Sequence, residues 1–280
     1  MSSYLRYVRY ALLVTVVLLN AAIAQAQGEP LSFTATGDGP RSEEDWMIFQ
    51  KQIDQDNADN KTAFLLHLGD IWKGSDRLPE SHYLQVAALL RTSLAPVYIV
   101  PGDNEWNDLT NPAEGWEFWN RHLLKLDEHW KTGLTIARQE SHPTNMAWIQ
   151  NGILFIGVTI VGGGIHDPEE WKARHAYTAQ WVADNLAKHK DAVRAAVIFG
   201  QARPKPQQED FFAPLVEAAA AFTKPVLYIH GDGHKYEVEP AWRAANITRA
   251  QVDQVSKACP MLITVTIDPA TPFTFDRRLP

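Results

Sequence analysis

Short apolar runs alternate with longer amphipathic stretches along most of this chain. The runs are β-branched and end in polar turns, which reads as strands. They are "LSFTATGD" (31–38), "TAFLLHLGD" (62–70), "PVYIVPGD" (96–103), "AAVIFGQ" (195–201) and "PVLYIHGD" (225–232). "MAWIQ" and "ILFIGVTIV" (146–161) flank Asn151-Gly152, a pair suited to a tight hairpin turn. "MLITVTID" and "FTF", near the C-terminus, read as antiparallel additions.

Between the runs, apolar residues recur at three- and four-residue steps. "SEEDWMIFQKQIDQ" opens with a serine cap and early acids. "SHYLQVAALLRTSL" and "EGWEFWNRHLLKL" follow, and "DPEEWKARHAYTAQWVADNLAKHK" begins with Asp167 as N-cap and Pro168 in the first turn. Its Trp171, Thr178, Trp181 and Leu186 share one face and read as packing. "QQEDFFAPLVEAAAAF" contains Pro214, which predicts a kink or two short helices. Strands alternating with helices imply a mainly parallel sheet. With the hairpin and the final pair added, the expectation is a mixed α/β sandwich flanked by helices.

Residues 1–26 stand apart. Arg6 and Arg9 precede a short apolar run, 11–19, and then "AIA" and "AQA". That is the layout of a secretory signal peptide, with a mature chain beginning near Gln25 or Gln27. The run falls short of the roughly 20 residues that span a bilayer. Export to the periplasm or the medium is therefore expected, with no membrane-spanning segment after cleavage. Residues 27–280 suffice for one large domain.

Charge narrows the partners. Removing Arg6 and Arg9 leaves 24 basic residues against 33 acidic ones, a formal −9. A general nucleic-acid binder needs a basic stripe, so that class is disfavoured. A small anionic substrate held through a metal is not. Cys259 is the single cysteine, which excludes an internal disulfide and a cysteine-based zinc site.

The polar residues closing the runs carry the chemistry. Four runs end in Gly-Asp, giving Asp38, Asp70, Asp103 and Asp232. In open α/β sheets the ligand crevice lies at the C-terminal ends of strands. Four carboxylates on one rim repel one another unless a cation joins them. Gln201 closes a fifth run and joins the rim. His234 lies two residues past Asp232 in "HGDGH" (230–234), so both can reach a shared ion. Asp108 is expected to be a bystander.

In order and spacing, "GDGP" (37–40), "GDIWKG" (69–74), "GDNEW" (102–106), "FGQARP" (199–204) and "HGDGH" resemble the motifs of the calcineurin-like metallophosphoesterases. Those motifs run Asp-x-His, Gly-Asp-x-x-Asp, Gly-Asn-His-Asp/Glu, a lone His and Gly-His-x-His. The resemblance covers roughly residues 31–275, and the "GDNEW" motif is similar to that of a variant branch. It implies a four-layer αββα fold, two divalent ions and hydrolysis of a phosphate mono- or diester by a metal-bridged hydroxide. Asp38 and His234 would hold one ion and Asp70 would bridge. Asp103 or Asn104, with Gln201 and Asp232, would hold the other.

Departures from the family all remove imidazole. Pro40, Gln201 and Asp232 stand where the family has histidine. In the third motif, either Asp103 replaces the liganding Asn and Asn104 the catalytic His, or Asn104 is the ligand shifted by one. Asn104 and Glu105 are thus the catalytic-position candidates. An oxygen-rich set favours Mn²⁺, Mg²⁺ or Ca²⁺, with zinc or iron still compatible. Such losses also fit a pseudoenzyme that binds a metal or phosphate ligand without turnover. His67 and His230 lie near the motifs; they are the remaining candidates for a leaving-group acid and weak pocket candidates, and otherwise read as core or supporting histidines. Trp72 and Trp106 are weak pocket-wall candidates. "IVGGGIHDPEEW" (160–171) resembles an anion cradle with His166 in it, but lacks the Lys-Ser/Thr of a phosphate loop.

Overall fold

The computed structural model describes residues 29–278; the signal-peptide reading at 1–26 lies outside them. The strands are β1 Leu31–Thr36, β2 Leu65–His67, β3 Val97–Ile99, β4 Ala137–Gln139, β5 His142–Gln150 and β6 Ile153–Gly157. β7 Ala195–Phe199, β8 Val226–His230, β9 Glu237–Glu239, β10 Ile247–Gln251, β11 Met261–Val265 and β12 Phe273–Asp276 complete them. The α-helices are α1 Glu43–Asp59, α2 Glu80–Leu90, α3 Pro112–His122, α4 Pro168–His189 and α5 Glu209–Phe222.

The expected mixed α/β sandwich is built from two mixed sheets. One has the order β12-β11-β1-β2-β3, the other β4-β5-β6-β7-β8-β10-β9. Parallel pairing holds within β1-β2-β3 and within β6-β7-β8-β10. The edges are antiparallel, including the C-terminal pair β11 and β12.

Three apolar layers separate four structural ones. Phe33, Leu66 and Ile263 from the first sheet meet Phe155, Val197 and Ile229 from the second. The outer face of the second sheet, with Leu154, Ile156 and Ile198, packs on Val182 and Leu186 of α4 and Phe212 and Leu215 of α5. The outer face of the first, with Leu65, Val97 and Ile99, packs on α1, α2 and α3 through Phe49, Tyr83, Val86 and Trp119. The architecture is a β-sandwich with helices on both sides. Strands covered on both faces read as continuous apolar runs, which is why these were legible.

Local predictions mostly hold. Ser42 caps α1 by accepting from Asp45 N, and Asp167 caps α4 by accepting from Glu169 N and Glu170 N. Asn151 and Gly152 both adopt positive φ, 49° and 69°, the turn that joins β5 to β6. α5 runs as one helix through Pro214 and is not split into two. Pro214 lies just past the first turn, so its missing N–H costs one hydrogen bond there. β4, β9 and β10 were not anticipated. β10, "ITRAQ", places Arg249 mid-strand, where it pairs with Glu237 and Glu239. Among the described residues, no helix is long and apolar enough to cross a membrane.

Candidate metal centre

The loops leaving β1, β2, β3, β7 and β8 meet at one end of the sandwich. Three of the anticipated ligands converge there. Asp38, Asp70 and His234 each offer a ligand atom, all within 4.8 Å of one another. Asp38 and Asp70 are buried and His234 is half-buried. The backbone is bent to achieve this. Asp38, Asp70, Asp232 and His234 have φ of 56°, 57°, 63° and 57°, the left-handed region. Such strain costs about 1–3 kcal/mol per residue and collects at functional sites.

Glycines make room for these carboxylates. A Cβ on Gly102 would lie 2.2 Å from Asp70 Oδ1 and 2.4 Å from Asp70 N. A Cβ on Gly231 would lie 2.7 Å from Asp38 Oδ2. Gly102→Ala should therefore displace Asp70 and weaken Mn²⁺ binding by about tenfold or more, or about 1.4 kcal/mol. Calorimetric titration, with circular dichroism to confirm folding, checks this.

The donors around Asp38 fit a cation. Asp38 Oδ1 accepts from Asp232 N at 3.1 Å, while its Oδ2 is buried without a hydrogen-bond partner. Arg41 Nη1 lies 2.8 Å from His234 Nε2. A guanidinium only donates, so that Nε2 presents its lone pair. The same Nε2 is 3.3 Å from Asp38 Oδ1, so the imidazole sits between a guanidinium and a carboxylate. A buried acceptor without a partner, as Asp38 Oδ2 is, is stabilised by a positive ion.

The third motif supports the centre from below. Asp70 Oδ1 accepts from Asp103 N at 3.1 Å and Asn104 N at 3.3 Å. Glu105 is fully buried, and its Oε1 accepts from Gly102 N at 2.8 Å and Asp70 N at 3.1 Å. Glu105 thus ties the second and third motifs together and orients Asp70. Burial first, then the neighbouring Asp103, Glu105 and Asp38, push the Asp70 carboxyl well above its ordinary value. Burial, then Asp108 and Asp232, raise Asp103 to about 7. Burial is also the largest cause raising Glu105, to about 8.

The remaining candidates separate. Asp103 Oδ1 accepts from Gln201 Nε2 at 2.5 Å. Asn104 turns the other way, its Nδ2 donating to Trp72 O at 2.9 Å. Asp232 Oδ2 is 2.9 Å from Lys205 Nζ. Sequence reasoning missed Lys205 and Arg41, which no motif flags.

His67 is buried, its Nε2 donating to Gly39 O at 2.9 Å; burial lowers it to about 4. It braces the first loop. His230, lowered to about 3 chiefly by burial, donates through Nδ1 to Gly231 O and receives Arg249 at Nε2. Trp106 does not wall an open pocket. Only 1% exposed, it is enclosed by Trp116 at 4.5 Å and Arg174 at 4.9 Å. Trp72 is half-buried against His82, ring centroids 4.1 Å apart.

The glycine loop is not a free anion cradle. Gly162 N donates to Gln201 Oε1 and Gly164 N to Asp108 Oδ1. His166 is exposed, with Nδ1 3.0 Å from Asn107 Oδ1. Asp108 is therefore no bystander. It also accepts from Asn107 Nδ2 at 2.7 Å, and so fastens the glycine loop to the third motif.

No family model and no curated protein sequence matches the chain. Solved structures match by shape. GAP50, described as the anchor in the inner membrane complex of Plasmodium, aligns with a TM-score of 0.57 at 11% identity, over 89% of each chain. The 5'-nucleotidase from Candida albicans aligns with a TM-score of 0.54 at 13% identity. That alignment covers 89% of this chain and 52% of the nucleotidase, about half its length. TT1561 of Thermus thermophilus aligns with a TM-score of 0.50 at 14% identity, over 88% of this chain and 98% of that one. At these identities the likeness is one of fold: two mixed sheets packed face to face with helices on both sides.

Proposed function

We propose that the chain is an exported, divalent-cation-dependent phosphoesterase acting on a small phosphate mono- or diester. The observation that carries this is the convergence of Asp38, Asp70 and His234, with Asp38 Oδ2 buried and unpartnered among them. When bound, a divalent cation there would lower the pKa of a coordinated water and polarise a phosphoryl oxygen. Two carboxylates and one imidazole favour Mn²⁺, Mg²⁺ or Ca²⁺ over softer ions.

The other roles belong to the chain itself. Asp103 N and Asn104 N orient Asp70 for the ion. Arg41 and Lys205 flank the centre, and their charges suit the anionic oxygens of a phosphate. The family's imidazole acid is replaced by Asn104, which does not titrate. A good leaving group should therefore be hydrolysed far faster than a poor one. Export follows from the leader-like residues 1–26; intact mass of the secreted chain should place its start near Gln25 or Gln27.

A second reading is a pseudoenzyme that binds a cation or a phosphate ligand without turnover. Basic side chains resting on His234 and Asp232 favour it. The two separate with Mn²⁺ and 4-nitrophenyl phosphate or its bis ester. Turnover lost in Asp38→Ala supports the esterase. Tight Mn²⁺ binding with no turnover of either ester supports the pseudoenzyme.

A further inference from the structure

We infer that this centre takes one divalent cation, at Asp38, Asp70 and His234, and that Gln201 and Lys205 take the place of a second. This rests on the cation-dependent reading above and departs from the two-ion arrangement that the sequence resemblance implies.

A second ion would need Asp70 plus donors from Asp103, Gln201 and Asp232. Gln201 cannot turn an oxygen towards it. The residue is fully buried, and its Oε1 accepts from Gly162 N at 2.7 Å. Flipping the amide would set an NH₂ group against that backbone N–H, two donors face to face. The orientation is therefore dictated by Gly162, and Nε2 points at Asp103 Oδ1, 2.5 Å away. An amide nitrogen with two hydrogens has no lone pair to offer a metal. Asp103 meanwhile has one oxygen occupied by that donor.

The other side of the position is held by charge. Lys205 Nζ lies 2.9 Å from Asp232 Oδ2, which also accepts from Arg203 N at 3.3 Å. The lysine is placed by its backbone. Lys205 N donates to Gln208 Oε1 at 3.1 Å, and the buried Gln208 donates from Nε2 to Val161 O at 3.2 Å. An ammonium paired to Asp232 neutralises the carboxylate that a second ion would use, and repels that ion.

The first position differs in kind. Arg41 also rests on a candidate ligand, His234, but Asp38 Oδ2 has no protein partner at all. Turning the half-buried Arg41 aside frees His234 to join Asp38 and Asp70. Turning Lys205 aside still leaves Gln201 presenting a hydrogen. The outcome is a centre with one exchangeable cation and one covalently attached positive charge beside the substrate's phosphate.

The test is Mn²⁺ stoichiometry on the chelator-stripped mature chain, read by calorimetry and electron paramagnetic resonance. The wild type should bind one Mn²⁺ with an uncoupled six-line spectrum. The double variant Gln201→His with Lys205→Ala should bind two, with spin coupling between them. Two coupled ions in the wild type would overturn this inference and leave the phosphoesterase reading standing. No Mn²⁺ bound at all would overturn the cation-dependent reading itself. A double variant that folds, by circular dichroism, but still binds one ion would show that these residues are not what excludes the second. The wild-type count decides the matter even if the variant fails to fold.

Discussion

Asp70→Asn is expected to abolish Mn²⁺ binding and phosphoester turnover together, each by about 100-fold or more, equivalent to about 2.7 kcal/mol. Asp70 lies between Asp38 and the third motif, and its carboxylate faces the candidate ion. Asparagine keeps the shape. Its Oδ1 can still accept from Asp103 N and Asn104 N, and asparagine tolerates the positive φ of 57°. What is lost is a carboxyl that burial, and then Asp103, Glu105 and Asp38, force to hold a proton the unfolded chain would release. The cation-free variant should therefore melt at a higher temperature than the cation-free wild type, while the gain in Tm on adding Mn²⁺ disappears. Glu217→Ala, on the exposed side of α5, should change neither. An Asp70→Asn protein with wild-type Mn²⁺ affinity and an unaltered Mn²⁺-induced Tm gain would show that Asp70 is not a ligand.

This opposite movement of two readouts could not be foreseen from the chain. Sequence placed Asp38, Asp70, Asp103, Gln201 and Asp232 after strands, because apolar runs ending in Gly-Asp announce both the strand and its polar end. Only the motif resemblance grouped Asp38, Asp70 and His234, the three the structure brings together; the strand ends alone did not say which carboxylates face each other. That depends on left-handed backbone at Asp38, Asp70, Asp232 and His234, which aspartate and histidine permit but do not demand. The direction of the Gln201 amide is set by Gly162, distant in sequence. Glu105 looked like a catalytic-position residue, yet its Oε1 is spent on Gly102 N and Asp70 N. Lys205 and Arg41 belong to no motif, and exposed basic residues are common everywhere. Which sheet each strand joins was illegible for a related reason. A strand covered on both faces has no apolar–polar alternation to say which sheet it joins.

The stability of the cation-free protein should peak near pH 5 and fall as the pH rises towards 8.5. Two sets of buried groups oppose each other. His67 and His175 are lowered to about 4 and His230 to about 3, in each case chiefly by burial. Below about pH 6.5 the unfolded chain protonates these imidazoles and the folded one does not, so stability is lost as the pH falls. The carboxyls run the other way. Asp103 is raised to about 7, Glu105 to about 8, and Asp70 well above its ordinary value. Between the unfolded values near 4 and these folded ones, the folded chain holds protons that the unfolded chain has released. Stability from the carboxyls therefore falls as the pH rises through that window. The histidine contribution fades between about pH 6.5 and 7.5, and above that only the carboxyls remain. At up to about 1.4 kcal/mol per pH unit per group, the loss by pH 8.5 is about 2–4 kcal/mol. For a chain of this size that is roughly 5–10 °C in Tm. Mn²⁺ should flatten or reverse this alkaline limb, because the ion takes the place of the protons and binds only the folded chain. Differential scanning calorimetry in chelator and in Mn²⁺, across pH 5 to 8.5, measures both curves. A chelated protein whose Tm is level or rising between pH 6.5 and 8.5 would mean that these carboxyls are not held in mutual repulsion, and the physical case for a cation at their centre would fail.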